Sequence, residues 1–80
     1  MSEKVQNFLK DHKNTLYTIE TERTGALFKA TIRYNQKVVV TAHSDVIQSD
    51  SEVHQREIQA MERAVDLLGE PNKRNSPVIT

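Results

Sequence analysis

The sequence has no cysteine and no tryptophan, and its 80 residues include only two glycines, two prolines, two phenylalanines and two tyrosines. Without cysteine it can build neither a disulfide scaffold nor a thiolate zinc site, which suits a reducing cytoplasm. No charge of one sign dominates, since 11 Lys and Arg balance 11 Asp and Glu. That excludes a globally basic nucleic-acid clamp and a polybasic membrane binder. No apolar run approaches the ~20 residues of a membrane helix. The opening Met1-Ser2-Glu3-Lys4 lacks the charged-then-apolar pattern of a secretion signal. Two glycines are too few for a phosphate-cradling loop. What remains is a chain 36% hydrophobic and 28% charged, enough for one small domain with a thin core.

Periodicity divides the chain. Over 3–12, Val5, Phe8, Leu9 and His12 recur at helical spacing and make one face. Ser2 is placed to cap this helix, and Glu3 suits its first turn. A helix of about ten residues is unstable alone and must dock. Period two then takes over. Tyr17, Ile19 and Thr21 face one way over 16–23, as do Phe28, Ala30, Ile32 and Tyr34 over 27–34. Val38, Val40 and Ala42 continue the pattern over 37–43, with Val39, Thr41 and His43 opposite. Alternation with one polar face predicts an antiparallel sheet wet on one side, broken at Thr24-Gly25 and turned at Asn35-Gln36. A polar connection over 44–51 follows. From 52 to 68 a broad apolar face built on His54, Ile58, Met61, Val65 and Leu68 predicts a helix lying across the sheet. Gly69 and Pro71 read as its stop. The expectation is an α+β domain over 1–70, α-β-β-β-α, with both helices on one face of a three-stranded sheet and a flexible tail over 71–80.

Candidate chemistry is sparse. His43-Ser44-Asp45 holds triad residue types, but neighbours on a strand point to opposite faces. Glu57 and Glu62 are five apart on a helix and do not converge. His12, His43 and His54 have no metal-ligand spacing. His54 reads as half-buried at the helix start. No catalysis, metal, cofactor or small-molecule substrate is expected. Lys29 and Arg33, with Lys37 and His43, line the wet sheet face, as solvated strands ordinarily do. Val38-Val39-Val40 stands out, because the third strand of a meander is an edge and an apolar edge attracts another strand. Charge is also divided unevenly. Residues 49–70 carry Arg56 and Arg63 against Asp50, Glu52, Glu57, Glu62, Asp66 and Glu70, a net −4.

The element order, Tyr17 at the first strand, Phe28 in the second and the run Ala60-Met61-Glu62-Arg63-Ala64-Val65-Asp66-Leu67-Leu68-Gly69 resemble the double-stranded-RNA-binding domain family over about 3–69. The resemblance implies three RNA-contacting patches that read duplex shape across two minor grooves. On the first helix they fall on Lys4, Gln6, Asn7 and Lys10. In the loop between the first two strands only Arg23 corresponds. At the start of the last helix the family's Lys-Lys-x-Ala becomes Val53-His54-Gln55-Arg56, leaving His54 and Arg56. The helix that meets phosphate in that family is here the most acidic segment, and phosphate contacts supply most nucleic-acid affinity. Some members of that family that have lost RNA binding serve as protein-interaction or dimerisation modules. The leading expectation is therefore a non-catalytic interaction module, an adaptor or inhibitor of a nucleic-acid-handling protein or a self-associating domain. Its surfaces would be the strand edge Val38, Val39 and Val40 and the acidic helix face Glu57, Glu62 and Asp66. The alternative is duplex RNA binding through the three patches.

Overall fold

The computed structural model describes the backbone of residues 2–79 and the side chains of 2–69. Helix α1 spans Glu3–Asp11, and strands β1, β2 and β3 span Tyr17–Thr24, Leu27–Tyr34 and Lys37–His43. A 3₁₀ turn over Asp50–Glu52 leads into helix α2, Val53–Ile79. The strands pair antiparallel in the order β1-β2-β3. The architecture is thus α-β-β-β-α, an α+β fold with a three-stranded sheet and two helices.

Local chemistry explains each element. Ser2 caps α1, its Oγ accepting from the Val5 amide at 3.2 Å. The helix is held by its inward face, where Val5 and Phe8 are buried. Leu9, expected on that face, lies at its margin and is 40% exposed. The β1–β2 turn places Gly25 at φ +65°, a conformation open to glycine without steric cost. In the β2–β3 turn both Asn35 (φ 53°) and Gln36 (φ 70°) are left-handed, as a type I′ hairpin requires.

The core is one layer between α2 and the sheet. Phe8, Phe28, Ala30, Ile32, Ala42, Ala60 and Ala64 form its buried cluster. Four of the seven are alanines, which lets α2 lie close against β2 and β3. Ile32 at the centre is fully buried. An aromatic chain closes one end: His12 sits 4.7 Å from the Phe8 ring and 4.6 Å from Tyr17, and Tyr17 lies 4.8 Å from Tyr34.

Three features depart from the expected pattern. The β2–β3 register shifts, pairing Ile32 with Val40 but Arg33 with Val38. Val39 is the extra residue of a β-bulge. Val38 then shares a face with Arg33, so it leaves the core face the alternation assigned it. His54 is exposed instead of half-buried. And α2 continues past the expected stop to Ile79. Gly69 does not adopt the positive φ with which a glycine closes a helix. The expectation of a flexible tail over 71–80 concerns side chains outside the described residues.

The connection between β3 and the 3₁₀ turn is pinned down. Buried Ser44 accepts from the Phe28 amide at 3.0 Å through Oγ, and its own amide donates to the Phe28 carbonyl at 2.9 Å. Further along, the Ile47 amide donates to the Ala26 carbonyl at 2.6 Å. After β3 has ended, the chain is therefore tied at Ser44 to the start of β2 and at Ile47 to the turn before it.

Candidate functional site

Two sets of side chains compete for the functional reading: apolar groups on β3 and charges on the helices. On β3 the bulge turns two consecutive valines to solvent, with Val38 53% and Val39 47% exposed. Val40 is partly buried and packs on the core. Of the predicted apolar edge, two residues are available and the third belongs to the interior. The bulge also bends the strand and interrupts the regular row of edge amides and carbonyls.

The acidic residues of α2 do not form one face. Glu57 turns toward the sheet, where its Oε2 accepts from the Thr21 hydroxyl at 2.6 Å. Asp66 accepts from Lys4 Nζ at 2.8 and 2.9 Å, clipping α2 to α1. Glu52 lies 3.6 Å from Arg56 and accepts from the Gln48 amide at 3.0 Å. Glu62 is partly buried. The acidic patch expected at Glu57, Glu62 and Asp66 is therefore dispersed, because 3.6 residues per turn place Glu57 and Asp66 on opposite sides of the helix.

Most cations assigned to RNA are engaged within the chain. Lys4 holds Asp66. Arg23 Nε donates to the Gly25 carbonyl at 3.2 Å. Arg56 packs its stem against the fold with its side chain 24% exposed, between Glu52 and Asp45. Gln6, Asn7 and Lys10 are exposed on α1, and His54 is exposed at the start of α2. On the wet sheet face the register sets Glu22 opposite Lys29, and Arg33 Nε donates to Glu20 at 2.8 Å. Alternating signs cancel any basic stripe there. No family model matches the chain, and no curated protein or solved structure matches it. Its function must be read from these side chains.

The densest polar constellation was not singled out in the sequence. Asp45 collects Arg63 Nη2 at 2.9 Å, Gln59 Nε2 at 3.3 Å and Arg56 Nη1 at 3.9 Å. Its own amide donates to Gln59 Oε1 at 2.9 Å, and Arg63 Nη1 donates to the His43 carbonyl at 3.0 Å. The Arg63 hydrogen bond, helped by the charges of Arg63 and Arg56 and by Gln59, holds the Asp45 carboxyl below its ordinary range. A signal existed: Arg56, Gln59 and Arg63 recur at i, i+3 and i+7 and so share one helix face. The constellation ties the β3–α2 connection to α2. Among the described residues no three metal-ligating side chains gather, and no helix is long and apolar enough to cross a membrane.

Proposed function

We propose that this chain is a non-catalytic protein-interaction module that binds a strand of another protein along β3. The observation that carries this reading is the Val38-Val39 step, where a bulge on an edge strand turns two adjacent apolar side chains outward. Such an edge offers main-chain hydrogen bonds for affinity and an apolar anchor for specificity. The bulge makes the edge selective. A flat strand meets an interrupted ladder, whereas a partner pairing over Val40–Ala42, short of the His43 carbonyl that Arg63 holds, with an apolar residue opposite the valines fits both features. The internal use of Lys4, Arg23, Arg33 and Arg56 supports a protein over a phosphate backbone as the ligand. The element order that resembles the double-stranded-RNA-binding domain agrees with an interaction module descended from a polyanion binder. An adaptor or inhibitor role in the cytoplasm follows as the simplest use of a domain this small.

The test compares immobilised wild-type chain with a Val38→Lys/Val39→Lys variant. The reading expects a stoichiometric protein partner retained by the wild type and released by the variant, with both folded by circular dichroism. Retention unaffected by the two lysines overturns it. So does steeply salt-dependent binding of a ~20-base-pair RNA duplex that is equal in both forms, which returns the function to nucleic acid.

A further inference from the structure

Strand β3 is an edge, and antiparallel pairing satisfies the backbone of only alternate residues in an edge strand. The Ser44 amide donates to the Phe28 carbonyl, and the register pairs Ala42 with Ala30 and Val40 with Ile32. Val40, Ala42 and Ser44 therefore turn their backbone toward β2, while Thr41 and His43 turn theirs to the open side. Thr41 is exposed, and its outward amide and carbonyl are a template for another strand. The His43 carbonyl is already taken. Arg63 reaches over from α2 and donates to it through Nη1 at 3.0 Å.

A second arm fixes the first. Arg63 Nη2 donates to Asp45 at 2.9 Å, and Asp45 is itself held by Gln59. The planar fork spans the last carbonyl of β3 and a carboxylate two residues further on, a reach that suits arginine. The Arg63 side chain is 43% exposed, so this contact sits where an arriving strand would meet it. At the other end of β3 the bulge at Val38-Val39 breaks the ladder. The open stretch between bulge and guanidinium is short and centred on Thr41. Overall charge offers no protection, since a chain of zero net charge does not repel its copies.

We infer that Arg63 is an edge guard, whose guanidinium occupies the His43 carbonyl and keeps β3 of one copy from pairing with β3 of another. The inference rests on the reading of β3 as the docking edge and adds its regulation. Two β3 strands paired antiparallel about Thr41 set each His43 opposite the other copy's Val39, so the guard acts twice against self-pairing. A foreign strand that ends opposite Ala42 does not meet it. The edge is thus open to a short strand of a partner and closed to the chain's own copies.

Analytical ultracentrifugation from micromolar to millimolar concentration tests this. The wild type is expected to stay monomeric. Arg63→Met should form a reversible dimer, with a dissociation constant at least about tenfold below any limit set by the wild type, the yield of two released hydrogen-bonding positions. The dimer should protect the Thr41 amide from hydrogen exchange. Adding Thr41→Pro, which removes an outward donor and spares the β2 ladder, should abolish it. A merely structural Arg63 would lower Tm on replacement without a dimer or protection at Thr41. Should Arg63→Met not fold, Arg63→Lys takes its place, keeping the charge without the fork. The proposal is overturned if the folded variant stays monomeric, if its dimer ignores Thr41→Pro, or if the wild type already dimerises through Thr41. A monomeric variant sinks the guard alone when Val38→Lys/Val39→Lys still releases a partner. A dimer with no partner released by those lysines leaves the guard standing and sinks the docking reading.

Discussion

Arg56 is the residue on which the RNA and protein readings part most sharply, and its replacement has a calculable effect. Its Nε is buried without a hydrogen-bond partner. The nearest carboxylates are Glu52 at 3.6 Å and Asp45 at 3.9 Å, and Nη1 donates to Gln59 Oε1 at 3.2 Å. An unsatisfied buried N–H costs about 1–3 kcal/mol. Long, partly solvated ion pairs return about 0–1 kcal/mol each. The guanidinium therefore contributes little net stability, whereas each buried methylene of the stem contributes about 0.8 kcal/mol. Arg56→Met keeps the stem and drops the charge, and its stability should stay within about 1 kcal/mol of wild type. Arg56→Ala should lose about 1–2 kcal/mol through the stem. Arg56→Glu sets a third carboxylate beside Glu52 and Asp45 and should be the least stable of the three. Urea unfolding followed by circular dichroism measures the series. If Arg56→Met loses more than about 2 kcal/mol, the guanidinium is a net stabiliser and the reasoning is wrong. The same variant is the clean probe of function, because it removes a cation without adding repulsion. Partner binding should survive it.

Ile32→Ala should cost about 2–5 kcal/mol, a large share of the roughly 4–12 kcal/mol expected for a domain of this length, with Ile32→Val losing about 0.5–1.5; equal losses in urea unfolding would refute a tightly packed centre. Gln36→Gly should add about 0.5–1 kcal/mol by relieving the left-handed backbone at that turn. The backbone carbonyl that accepts from Arg33 is kept, so a lower Tm would mean that the extra freedom of glycine in the unfolded chain outweighs the relieved strain. The depressed Asp45 pKa stabilises the fold fully above the ordinary aspartate value of about 4, and this contribution is lost as pH falls through the lower folded value. Asp45→Asn should therefore be less stable than wild type at neutral pH and equal to it in strong acid, a convergence that pH-dependent unfolding curves would show or deny.

Much of the fold was legible because burial imposes a simple period. Ala30 and Ile32 on β2, and Val5 and Phe8 on α1, lie where the alternation and the helical spacing put them. Val38 did not, because a bulge adds a residue without leaving a compositional mark in Val-Val-Val. The α2 terminus was misread for a different reason. Gly69 permits a left-handed stop but does not demand one. At the site, counting charge by segment found the acidic character of α2 but not its commitments. Glu57 to Thr21 and Asp66 to Lys4 are tertiary pairings, invisible to a sum. Asp45 was missed because its partners come from a helix eleven to eighteen residues further on, although the shared face of Arg56, Gln59 and Arg63 was there to be read.

The alanine layer under α2 has a bearing on the life of the molecule in its host. Small side chains bring helix and sheet together closely but remove little oily surface from water, so the folded form is favoured by a slender margin. A ligand present at a hundred times its dissociation constant adds about 2.7 kcal/mol to such a margin. Under the proposed interaction, the steady-state amount of this chain should then rise and fall with the abundance of its partner, since unaccompanied copies open more often and reach proteases sooner.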